Sequence, residues 1–153
     1  MDAERVRAFV LALPHVEETH QWGDNIVFWV GDKAIGGKMF ALLSLEPGGW
    51  PSGVMLSLSA GAERFNEFLE NENIIPAPYF ARIHWIGLQR WNALPARELE
   101  TALAAAHAMT YAKLPKRVKD VLALPAATRK KLIAERRKEL AKEKKSKAAK
   151  AAG

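Results

Sequence analysis

The sequence contains no cysteine, which excludes disulfides, thiolate metal sites and thiol catalysis and makes the reducing cytoplasm the expected location. It has no run of eighteen apolar residues, so no membrane-spanning helix and no membrane partner are expected. Its first residues read as a charged helix rather than a signal or transit peptide. Histidine is scarce and scattered. His15, His20, His84 and His107 never fall at i, i+4 spacing, so no metal and no cofactor is expected. Nucleophile motifs are also missing. Ser44, Ser52, Ser57 and Ser59 lack a strand, Gly-x-Ser-x-Gly, helix context, and Gly36-Gly37-Lys38 lacks the residues and following helix of a phosphate loop. No catalytic residue can be nominated, and the chain reads as non-enzymatic.

What is present fits one globular domain with an appendage. The 153 residues are 49% apolar and carry a net charge of +6. That charge is unevenly spread. Residues 1–112 hold eight Lys/Arg against thirteen Asp/Glu, a balance of −5, whereas residues 113–153 hold fifteen against four, a balance of +11. Attraction for a polyanion must therefore come mainly from the last forty or so residues.

Asp2 is a helix N-cap candidate, and Val6, Phe9, Val10 and Leu13 share one face of a helix from about Ala3 to Ala12, which Pro14 stops. Ile26–Val30 is β-branched and aromatic and predicts a strand, Lys38–Leu45 a second after a wide or bulged turn, and Val54–Ser59 a third. These three are expected as an antiparallel meander. A helical face follows at Ala62, Phe65, Phe68 and Leu69, then a strand over about Arg82–Arg90 whose inward face the pattern leaves ambiguous. Pro95 reads as the first position of a long helix with Leu99, Ala102, Leu103, Ala106 and Thr110 inward, ended by Pro115. Val118, Val121, Leu122 and Leu124 can cover residual core. Pro125 marks the expected limit of the domain, 1–125. Residues 126–153 are an Ala/Lys-rich basic tail, expected as a projecting or frayed helix that becomes disordered after about Lys145. The fold class is α+β: a two-layer domain, an antiparallel sheet of four or more strands with helices packed against it, plus a basic C-terminal helical extension.

The densest stretch is Asn73–Trp85, in which Pro76 and Pro78 forbid a helix or central strand and predict a rigid, ordered segment. Read with Leu13-Pro14-His15-Val16-Glu17-Glu18, Trp22, Gly37-Lys38-Met39-Phe40-Ala41 and Ala112-Lys113-Leu114-Pro115-Lys116-Arg117, it resembles the MmcQ/YjbR family of small bacterial proteins from about Met1 to about Arg117. The resemblance implies a frataxin-like α/β fold and DNA binding through a double-wing arrangement.

Two sets of candidate site residues follow. For nucleic acid they are Lys38 and Trp50 on wing-like loops, Lys113, Lys116 and Arg117, and Arg129, Lys130, Lys131, Arg136 and Arg137 of the tail, expected to contact phosphates without base specificity. Trp50, flanked by Pro and Gly, either stacks on a base at a wing tip or folds back over the sheet. The second set, Tyr79, Arg82, His84 and Trp85, would line a pocket for a small anionic ligand if the four converge. Packing is the competing reading for these aromatics. A protein-interaction module is the third alternative, and a monomer is the default assembly.

Overall fold

The computed structural model describes residues 1–152. Asp2 caps the first helix, α1 (Ala3–Leu11), its Oδ1 accepting from the Arg5 amide at 2.9 Å. Six strands follow: β1 (Val16–His20), β2 (Asn25–Val30), β3 (Lys38–Ser44), β4 (Leu56–Ser59), β5 (Ile74–Pro76) and β6 (Trp85–Leu88). They form one antiparallel sheet in the order β1-β2-β3-β4-β6-β5. The helix α2 (Phe65–Phe68) lies between β4 and β5, and α3 (Ala96–Lys113), α4 (Lys116–Leu122) and α5 (Ala126–Ala152) close the chain. No helix among the described residues is long and apolar enough to cross a membrane.

Strand alternation sorts the side chains into two layers. Ile26, Phe28 and Val30 of β2, with Phe40, Leu43, Leu56, Leu58, Ile86 and Leu88 from its neighbours, meet Val6, Val10, Leu99, Leu103, Val118 and Leu122 of the helices. The other face carries a smaller cluster: Val27, Leu42, Ala77 and Trp85, covered in part by Trp29, Met39, Trp50 and Phe80. β2 is thus apolar on both faces because both are packed. A register shift between Phe28 and Trp29 makes the β2–β3 hairpin bulged as well as wide.

Several boundaries differ from sequence expectation. β1 is a strand the pattern does not announce. Val-Glu-Glu-Thr-His has little apolar content, and it pairs at the edge of β2 because Val16 reaches the core while Arg7 Nε donates to Glu18 at 2.9 Å. That guanidinium holds the Glu18 carboxyl below its ordinary range. The predicted Arg82–Arg90 strand shrinks to β6, since Ala81–Ile83 forms a 3₁₀ turn. Ile86 and Leu88 face the helices and Trp85 the opposite cluster, which resolves the ambiguous period. Pro95 is the N-cap of α3, not its first helical residue. The tail is helical through Ala152 rather than only to about Lys145.

Candidate nucleic-acid interface

The site begins where β2 turns into β3. Asp32 is extended, and its Oδ1 accepts from the Ala34 amide at 2.8 Å, capping a 3₁₀ turn at Lys33–Ile35. Gly31 and Gly37 close the base of that turn so tightly that a Cβ on Gly37 would lie 1.8 Å from the Gly31 carbonyl oxygen. Lys33 is consequently held out in solvent, 5.5 Å from the Trp29 ring centroid, and Lys38 opens β3 at the same end of the sheet.

The corner between α3 and α4 arrives at this end too. Lys113 ends α3 and Lys116 opens α4, because Pro115 cannot continue the hydrogen-bond ladder. Lys38 Nζ lies 3.5 Å from the Lys113 carbonyl oxygen, and Arg117 Nη1 lies 3.5 Å from that of Ile35. Lys119 instead turns back on its own corner, donating to the Ala112 carbonyl at 3.0 Å.

The helix α5 adds the third basic segment. Arg129 Nη1 donates to the Leu122 and Leu124 carbonyls at 3.4 and 3.1 Å, satisfying the end of α4. Ile133 packs against the core, and Arg137 pairs with the buried carboxylate of Asp32, a contact that holds the guanidinium's proton more firmly than usual. Lys33, Arg117 and Arg136 then line one groove of about 480 Å³, floored by Ile35, Val121 and Leu132. Arg136 also pairs with Glu139 at 2.9 Å on the exposed side. His15, beside Arg129, has its pKa lowered by burial, then by the Arg129 and His107 charges.

The sequence candidates thus divide. Lys38, Lys113, Lys116, Arg117, Arg136 and Arg137 gather at one end of the sheet with the turn at Lys33. Lys130 and Lys131 are exposed on the first turns of α5. Arg129 is spent on capping α4, and Arg137 on Asp32. Trp50 folds back over the sheet: its ring centroid lies 5.9 Å from that of Tyr79, it joins the smaller cluster, and its Nε1 is buried. Gly48 therefore occupies the exposed loop, with no atom near enough to touch an added Cβ.

The four pocket candidates do not converge. Trp85 is 3% exposed beneath Phe80, whose ring centroid is 5.0 Å away, and Tyr79 is 78% exposed. His84 stacks edge-on against Phe65 of α2 at 5.4 Å, and Arg82 is exposed on the 3₁₀ turn. Sequence reasoning passed over Lys33 and Asp32. Their signal was the Gly31-Asp32 and Gly36-Gly37 pairs on either side of a short basic turn.

The family model named YjbR matches residues 11–109. This chain belongs to the YjbR family. The crystal structure of Deinococcus radiodurans protein DR2400, with family-model domain DUF419, is similar at 25% sequence identity and a TM-score of 0.67, over 80% of this chain and 88% of that one. No curated protein matches the sequence. In this YjbR-family chain the basic residues from Lys113 onward lie beyond the matched segment, so whatever α5 does is argued from its own chemistry.

Proposed function

We propose that this YjbR-family protein binds nucleic acid without catalysis, contacting the phosphates of a duplex through the basic end of the sheet and through α5. The observation that supports it is that cations from three segments distant in sequence line one groove, Lys33, Arg117 and Arg136 of α5, while Lys38 Nζ lies 3.5 Å from the Lys113 carbonyl oxygen at the α3–α4 corner. Lys33, Lys38, Lys113, Arg117, Lys130 and Lys131 make no ion pair among the described residues and remain available to phosphate oxygens. Beyond Leu140 every described α5 side chain is exposed, so Lys142, Lys144, Lys145, Lys147 and Lys150 extend the track. A helix without tertiary contacts is marginal in water, and neutralising its charge on a polyanion would firm it. Phosphate contacts carry little sequence information, so base specificity is not expected.

The experiment is an anisotropy titration of a labelled duplex by the full-length protein over a range of salt. Truncation at Pro125 is unsuitable, because it would remove the Ile133 packing and the Arg129 cap along with the charge. Full-length Lys38→Glu/Arg117→Glu and Lys130→Glu/Lys131→Glu variants serve instead. Binding should weaken as salt rises, and each lost phosphate contact should lower the log–log salt slope by about 0.9. No binding to duplex or single strand in dilute buffer, or undiminished binding by both variants, refutes the reading.

A further inference from the structure

A second cavity is built from other elements. About 450 Å³ opens between α3 and the connection from Ser59 to Arg64 that leads into α2, within the roughly 300–1,000 Å³ of small-molecule sites. Its floor is Ala60 and Ala102, both buried, and its walls are Phe68, Ala105 and Met109. Gly61, at φ +80°, brings the backbone against Met109: a Cβ there would lie 2.9 Å from Sδ, which closes one end.

The rim is charged. Arg64 Cζ sits 4.5 Å from the Phe68 ring centroid, so its guanidinium is held over the wall of the cavity. Its ion pair with Glu67 is exposed and loose at 3.5 Å, so it is readily exchanged for another carboxylate. Lys113 lies on the same rim and makes no ion pair among the described residues. Glu63 and Glu67 are both exposed carboxylates beside these two cations, so a bound acid takes the place of Glu67 on the Arg64 guanidinium.

We propose that this cleft binds a small amphiphilic carboxylate, an aliphatic or aromatic acid. The planar guanidinium fork of Arg64 takes the two carboxylate oxygens, Lys113 supplies a second cation, and the apolar body lies against Phe68, Ala105 and Met109. A neutral oil would gain the walls but not the rim, and a polyphosphate would meet the rim and leave the apolar floor wet. The cleft is distinct from the groove at Lys33, Arg117 and Arg136, and Lys113 is the one residue it shares with the proposed phosphate contacts.

The test is titration of the full-length protein with octanoate, followed by ¹H–¹⁵N NMR and calorimetry, with octanol and octylamine as probes of equal chain length. Octanoate should bind one to one, shift the amides of Gly61, Ala105 and Met109, and bind at least about tenfold more tightly than octanol or octylamine. Ala105→Phe, which fills the cavity, should abolish binding. Arg64→Gln, at an exposed position, should weaken it by about tenfold and keeps the test decisive if Ala105→Phe fails to fold. Absence of those shifts, equal binding of octylamine or octanol, or undiminished binding by Arg64→Gln or a folded Ala105→Phe overturns the proposal.

Discussion

The attachment of α5 through Asp32 and Arg137 is open to a double-mutant cycle. Asp32 is 6% exposed, whereas the Arg137 side chain is 63% exposed. Arg137→Met removes the partner and strands a carboxylate that still accepts from Ala34. Breaking a fully buried pair costs about 3–5 kcal/mol, but water can enter from the Arg137 side, so the expected cost falls to about 1–2 kcal/mol. Asp32→Asn retains an acceptor for the Ala34 amide and removes the charge, and should cost about 1 kcal/mol. In the double variant neither a stranded carboxylate nor a guanidinium remains, so the two costs should fall short of additivity by about 1 kcal/mol. Urea unfolding gives the energies, and hydrogen exchange locates the loss: amides of α5 should exchange faster in both single variants, while those of β2 and β3 stay protected. Additivity within about 0.3 kcal/mol would refute the coupling, and unchanged α5 exchange would show that the helix is held by Ile133 and Arg129 alone.

Two other outcomes follow from the same region. The fold holds His15 below the ordinary histidine pKa, so the native state prefers it neutral; its stabilising contribution is intact above about pH 6.5 and is lost as pH falls from there through the depressed folded value. His15→Asn, which tolerates the local φ of 61°, should flatten that part of a urea-derived stability profile between pH 7.5 and 5, and an unchanged slope would discard the assignment. Gly37→Ala must force the β2–β3 turn apart, because the new Cβ meets backbone atoms of Gly31 and Val30 rather than side chains that could swing away. The expected loss is about 3 kcal/mol, a fall in Tm of at least about 6 °C by calorimetry, and a shift within about 2 °C would contradict the geometry.

The amino-acid order alone specified α1, α3 and the β2–β3–β4 meander, since each depends on a local period: Val6 and Val10 on one helical face, Leu99, Leu103 and Ala106 on another, Leu56 and Leu58 alternating with serines. It also specified the segregation of positive charge toward the C-terminus, a property of composition. Tertiary structure decided the rest. β1 and β5 are strands only because β2 and β6 offer them edges, and Val-Glu-Glu-Thr-His carries no period of its own that says so. Whether Trp50 projected or folded inward depended on Tyr79 and on the cluster beneath it. Tyr79, Arg82, His84 and Trp85 of the proline-rich stretch, close in sequence, were sent to different surroundings by one 3₁₀ turn and one strand. Asp32 and Arg137, 105 positions apart, met because α5 crosses the turn after β2. Periodicity is written in neighbours along the chain, whereas an interface is written in pairs that only a completed core brings together.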